Sequence, residues 1–149
     1  EKYLLIYDFE GNEQLKLYAW EYARKKDLKI YAITDRFPLA YADRNFKQAG
    51  PADFVRLIKG CEVFISNSFH GTAFSIIYHK PVFVFKRQLH KVNSRMESLL
   101  TLFELKDCVV DDNTNNALLI DRLFDWERIE QIKKEWLNVS IEYLKKLGV

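Results

Sequence analysis

The hydrophobic positions of the chain repeat with two different spacings. Short continuous apolar runs, such as YLLIYDF at 3–9, are typical of strands buried in a parallel sheet. Longer stretches, such as 13–26, place Leu17, Trp20 and Tyr22 on one face of a helix. The predicted strands are 3–9, 28–34, 62–66, 82–85 and 108–110. The predicted helices are 13–26, 51–60, 69–79, 93–105 and 125–147.

This order of elements predicts the fold class. Strand and helix alternate about five times, which is typical of an α/β fold: a Rossmann-like parallel sheet with helices on both faces. The 149 residues are enough for one domain with a core, so we expect a single domain over 1–149. The segment 35–50 contains Pro38 and several polar residues and is predicted to be a long loop.

Polar residues collect where the predicted strands end. The carboxyl ends of the strands lead into 8–10, 34–50, 66–71 and 86–93. Ligands of open α/β sheets bind at this edge, where the strand order reverses. We therefore expect the functional residues in these four segments.

Composition and charge exclude several function classes. The net charge is only +2, which gives no case for nucleic acid or an anionic membrane surface as partner. Cys61 and Cys108 are far apart and show no metal-ligand spacing, so we expect buried free thiols in a reducing cytoplasm and no metal or cofactor. No apolar run approaches 18 residues, so no transmembrane segment is expected. The strand-like start EKYLLIYDF, without a leader, indicates a piece of a longer protein.

The stretch ISNSFHGTAFSI at 65–76 carries the most specific chemistry. Ser68 is predicted to cap a helix whose first turn presents free backbone N–H groups to an anion. Gly71 leaves room for close approach, Ser75 adds a hydroxyl, and His70 would lie at the mouth of the site. Anion binding, catalysis by His70 and plain helix capping, with Gly71 serving only close packing, all remain open from the residues alone.

A basic segment follows the fourth predicted strand. KRQLHKVNSRM at 86–96 carries Lys86, Arg87, His90, Lys91 and Arg95. A guanidinium binds phosphate or carboxylate with two parallel hydrogen bonds, so Arg95, in the first turn of its predicted helix, is the best candidate anion ligand. The alternative is a solvated basic loop.

These residues resemble the polysaccharide pyruvyl transferase family, in its capsule and exopolysaccharide branch. The resemblance rests on Gly50-Pro51, Asp53-Phe54, Ser-Phe-His-Gly at 68–71, Phe74-Ser75 and Lys80-Pro81, in that order. It extends to NSRMESLL at 93–100 and to the last helix, whereas 1–49 resemble the family only loosely. Cys108 stands where the family often has Arg, and Trp136 replaces an expected basic residue.

The resemblance implies a function and a site. Family members transfer the enolpyruvyl group of phosphoenolpyruvate to a sugar as a pyruvate ketal, on a two-domain fold similar to glycosyltransferase-B enzymes. This chain looks like the C-terminal half, which leaves an N-terminal domain and a saccharide acceptor as its partners. By the same resemblance His70 is the catalytic candidate, as acid, base or phosphate ligand. The implied donor ligands are Ser68, Gly71, Ser75, Asn93 and Arg95.

Two other functions stay open at this point. The same fold could serve a nucleotide-sugar glycosyltransferase, in which a nucleotide diphosphate sugar replaces phosphoenolpyruvate as the ligand. A non-catalytic interaction domain would instead bind no small anion and would use the apolar seam of the last predicted helix to bind a protein.

Overall fold

A computed structural model of the protein describes residues 1–88 and 93–148, and within these residues five strands form one parallel sheet. The strands are β1 (Tyr3–Tyr7), β2 (Lys29–Thr34), β3 (Arg44–Lys47), β4 (Val63–Ser66) and β5 (Val82–Val84). Their order in the sheet is β3-β2-β1-β4-β5, and each neighbouring pair is parallel. The central strand β1 is buried along Tyr3 to Ile6, as its continuous apolar run predicts.

The helices begin and end at the signals that the sequence provides. They are α1 (Glu13–Lys26), α2 (Pro51–Gly60), α3 (Phe69–Ile77), α4 (Ser94–Leu102), α5 (Asn116–Ile120) and α6 (Trp126–Lys146). Asn12 caps α1 by accepting a hydrogen bond from the Leu15 amide, and Asp125 caps α6 in the same way. Pro51 occupies the first turn of α2, where its missing N–H costs nothing.

Helices cover both faces of the sheet. Tyr18 of α1 packs edge-on against Phe83 of β5, with 5.5 Å between ring centroids. Phe64 of β4 is paired in register with Val82, the neighbour of Phe83 on β5. Because side chains alternate between the two faces along a strand, the Phe64 side chain points to the face opposite that of Phe83. There it contacts Gly71 of α3. The predicted α/β fold class, a parallel sheet with helices on both faces, is therefore confirmed.

Two predictions of local structure are wrong. The predicted loop 35–50 contains β3, a short strand at the sheet edge with three exposed residues. The predicted strand 108–110 is replaced by a 3-10 turn, Lys106–Cys108, after which Val109 alone bridges to Val84. β3 carries no apolar run, and the apolar run at 108–110 is only three residues long, so the pairing of both segments depends on neighbouring strands.

Both cysteines lie in the core, as predicted. Cys61 and Cys108 are free and buried, and burial raises the pKa of each thiol to about 12. Among the described helices, none is long and apolar enough to span a bilayer.

Candidate functional site

The strand order reverses beside β1. The chain leaves β1 for β2 and β3 on one side, and it then crosses to β4 and β5 on the other side. Such a reversal opens a crevice between the carboxyl ends of the two strands that flank it, here β1 and β4. Asp8 follows β1 and Asn67 follows β4, so these two residues line the crevice.

Asp8 and Asn67 join the two loops of the crevice directly. Asn67 is almost fully buried; its Nδ2 donates to Asp8 Oδ1 at 2.9 Å, and its Oδ1 accepts from the Phe9 amide at 3.1 Å. The Asp8 carboxylate also accepts from the backbone amides of Glu10 and Asn12, at 2.9 and 2.7 Å. The loop after β1 is thus fixed against the start of α3, and its carboxylate is satisfied by three donors.

Ser66 and Ser68 shape the turn from β4 into α3. The Ser66 hydroxyl donates to the carbonyl of Tyr7 and accepts from the Ser68 amide at 2.8 Å. Ser68 Oγ accepts from the Gly71 amide at 3.1 Å, so Ser68 is the N-cap of α3, as predicted. Two short hydroxyl side chains therefore orient the helix N-terminus at the crevice.

Gly71 and Ser75 lie on the buried side of α3. A Cβ added at Gly71 would lie 2.5 Å from two ring carbons of Phe64, so glycine permits the close approach of α3 to β4. Ser75 is fully buried, and its hydroxyl donates to the carbonyl of Gly71 at 2.8 Å. In this structure both residues serve the helix and its packing, and their predicted contact with a donor remains a prediction.

His70 of α3 and Arg95 of α4 both lie near the ring of Phe69, the first residue of α3. Both are exposed. The guanidinium of Arg95 lies 4.6 Å from the centroid of the Phe69 ring, and the His70 ring stands edge-on to Phe69 at 5.4 Å. The predicted catalytic imidazole and the predicted anion ligand therefore both lie near the ring of Phe69, and their roles remain predictions.

Asn93 holds the basic segment rather than capping α4. Its Oδ1 accepts from the Arg87 amide at 2.9 Å and its Nδ2 donates to the Arg87 carbonyl at 3.1 Å. Arg87 Nε lies 3.5 Å from Glu10 Oε1, and its guanidinium lies 4.9 Å from the Phe9 ring. Asn93 therefore draws Arg87 towards the loop after β1, whereas the predicted residues His90 and Lys91 fall outside the described residues.

Within residues 1–88 and 93–148, no group of three or more His, Cys, Asp or Glu side chains is placed to hold a metal.

Glu10 joins the loops after β1 and β5. Its side chain is 96% buried, and its carboxylate accepts a hydrogen bond from the Gln88 amide at 2.8 Å. The sequence predicted functional residues at the ends of these strands, but it indicated neither the contact of Glu10 with Gln88 nor the pair of Asp8 and Asn67. The partners are 78 and 59 residues apart in the chain, and such contacts leave no local pattern.

Solved structures of similar fold come from glycosyl transfer enzymes. The glycotransferase of kitacinnamycin matches with TM-score 0.57 and 15% identity, over 91% of this chain and 39% of that one. A mutant O-GlcNAc transferase of Thermobaculum terrenum matches with TM-score 0.59 and 15% identity, over 93% of this chain and 32% of that one. At these identities the likeness shows the fold alone, and the chain spans 39% or less of either structure. No curated protein sequence matches the chain.

A family model gives the more specific result. The model described as polysaccharide pyruvyl transferase matches residues 1–88, which is more than half of the 149-residue chain. The match includes the crevice loops and the start of α3, and it covers 1–49, where the sequence resemblance was expected to be loose. It ends before Asn93 and Arg95. The chain belongs to the polysaccharide pyruvyl transferase family.

Proposed function

We propose that this chain is the donor-binding domain of a cytoplasmic pyruvyl transferase that acts with an N-terminal domain. The donor is phosphoenolpyruvate, and the product is a pyruvate ketal on a sugar of a capsular or exopolysaccharide. The observation that carries the proposal is that two exposed residues, His70 and Arg95, both lie near Phe69 at the N-terminus of α3, in a member of this family.

The helix end supplies the groups that an anion needs. The cap of Ser68 occupies the Gly71 amide, whereas the amides of Phe69 and His70 belong to the first turn, which has no intrahelical acceptors for them. These N–H groups and the positive end of the helix dipole favour a phosphate. Arg95 supplies a full positive charge near Phe69 in the same first turn, so it would neutralise either the phosphate or the carboxylate of the donor.

The reaction needs a proton and stabilisation of charge. A proton added to the methylene carbon of phosphoenolpyruvate turns it into a methyl group and leaves the adjacent carbon oxocarbenium-like. One acceptor hydroxyl adds to that carbon, phosphate leaves with its bridging oxygen, and a second hydroxyl closes the ketal, so both hydroxyl protons are released. His70 would give the first proton, remove a hydroxyl proton, or hold the departing phosphate.

Amide shifts of the isotope-labelled chain, titrated with phosphoenolpyruvate, test this proposal. We expect selective shifts at 68–72 and near Arg95, with an affinity in the millimolar range or better. His70→Ala and Arg95→Gln should each weaken binding about tenfold, since each removes a contact with a charged ligand. The matched controls are His79→Ala, at the opposite end of α3, and Arg56→Gln, on the exposed face of α2.

Each outcome has a distinct meaning. An unchanged affinity in His70→Ala would reject the role of His70, even if phosphoenolpyruvate still binds. Tighter binding of a nucleotide diphosphate sugar at the same amides would favour a glycosyltransferase. No response at 68–72 to any of these anions would reject the proposed donor site in this chain.

A further inference from the structure

A cavity lies on the side of β1 away from the candidate donor site. It has a volume of about 470 Å³ and opens between the carboxyl ends of β1 and β2. Asp8, Phe9, Thr34, Asp35, Arg36 and Phe37 are among the residues that line it. The candidate donor site, in contrast, lies between β1 and β4, so the two sites share the loop after β1.

The walls of this cavity combine a free acceptor with exposed rings. Asp35 follows β2 directly and is exposed; the Tyr7 hydroxyl approaches its two oxygens only at 3.5 and 3.4 Å. A carboxylate has about four acceptor positions, so Asp35 can accept further hydrogen bonds. Phe37 is 80% exposed and Phe9 is 42% exposed, so both rings are open to a ligand in the cavity.

The charge of the cavity separates it from the donor site. Asp8 borders both sites, so the difference between them lies in Asp35 and Arg36 here and in Arg87 and Arg95 on the other side of β1. Because Glu10 lies against Arg87, an anionic donor is favoured chiefly at the side of β1 that carries Arg95. A neutral ligand rich in hydroxyl groups suits the cavity, because carboxylates accept from hydroxyls and a ring face packs against C–H groups.

We infer that this cavity is a saccharide subsite, in which Asp35 accepts hydrogen bonds from neighbouring ring hydroxyls and Phe37 packs against the sugar ring. The carboxylate after the second strand of a dinucleotide-binding fold contacts a diol in the same way. Its assignment as the acceptor subsite rests on the proposed function. Phe9 links the sites, because its backbone amide donates to Asn67 at 3.1 Å and its ring lines the cavity.

Amide shifts of the labelled chain test this inference with neutral probes. The probes are the methyl pyranosides of glucose, galactose and mannose, with uridine as a source of a ribose diol and glycerol as a control polyol. We expect at least one pyranoside to shift the amides at 34–37 and to leave 70–72 unchanged. Asp35→Asn and Phe37→Ala should each weaken that binding about fivefold or more. The matched controls are Asp27→Asn, at the left-handed C-cap of α1, and Leu123→Ala, which is 90% exposed.

The outcomes separate this inference from the proposed function. No shift at 34–37 with any pyranoside would overturn it, and so would a sugar affinity unchanged in both Asp35→Asn and Phe37→Ala. Shifts with uridine alone would replace the saccharide by a nucleoside. The phosphoenolpyruvate titration reports on 68–72 independently, so either site can fail while the other stands.

Discussion

Replacing Gly71 by alanine tests whether packing governs this position. The added Cβ would lie 2.5 Å from both Cε1 and Cζ of Phe64, whereas carbon atoms in contact are about 3.5–4.0 Å apart. The ring of Phe64 is fully buried in a close-packed core. It must therefore move by about 1 Å, or α3 must move away from β4, before the methyl group fits.

The expected loss follows from two opposing effects. Overpacking a core costs about 1–3 kcal/mol, and an enclosed ring with no free direction favours the upper part of that range. Alanine in place of glycine within a helix returns at most about 1 kcal/mol. We therefore expect Gly71→Ala to lower the free energy of unfolding by about 1–2 kcal/mol.

Urea denaturation followed by circular dichroism measures this change. Gly50→Ala is the matched control, because a Cβ there meets no atom within 4 Å. In a Phe64→Leu background, which shortens the side chain that causes the clash, Gly71→Ala should cost at least about 1 kcal/mol less. A Gly71→Ala variant as stable as the wild type, or one equally destabilised in both backgrounds, would refute the packing argument.

Two further predictions concern the crevice and the outer loops. Asn67→Ala should lower the free energy of unfolding by about 1–3 kcal/mol, because the Phe9 amide and the Asp8 carboxylate each lose a hydrogen-bond partner. Urea denaturation measures this change, and a loss below about 0.5 kcal/mol would contradict the prediction. Hydrogen bonds from Arg122 hold the pKa of Asp107 below its ordinary value. The ion pair therefore stabilises the folded protein fully at a pH above the ordinary pKa of Asp. This stabilisation is lost as the pH falls through the lowered pKa of the folded state. Because the Asp107 side chain is 62% exposed, we expect the free energy of unfolding to fall by less than about 1 kcal/mol from this pair between pH 5 and pH 2. Asp107→Asn should remove this part of the pH dependence. An identical pH profile of stability in that variant would contradict the role of the pair.

The fold could be predicted because its main strands and helices carry strong local patterns. The continuous run of β1 and the start signals of α2 and α3 indicated both the type of each element and its place. β3 was missed because its residues RNFK are mostly exposed and contain only one large apolar side chain, Phe46. Its strand conformation comes from hydrogen bonding to β2, which the segment itself does not encode.

The candidate site was predictable only as far as it is local. Ser68 could be recognised as an N-cap, because cap and helix start are adjacent in the chain. The pair of Asp8 and Asn67 spans 59 residues, and each member alone looks like an ordinary loop residue. Likewise, nothing in the spacing of Asn93 indicated that its amide group would bind the backbone of Arg87.

The two edges of the sheet are closed to further strands by different means. On one side the bridge to Val109 covers β5 at Val84, and the Val110 amide donates to the Val84 carbonyl at 2.8 Å. On the other side β3 is only four residues long and carries Arg44 and Lys47, so a second copy pairing there would bring like charges together. The protection of this open sheet against edge-to-edge aggregation therefore lies in its outermost strands and leaves the loops at its carboxyl edge unconstrained.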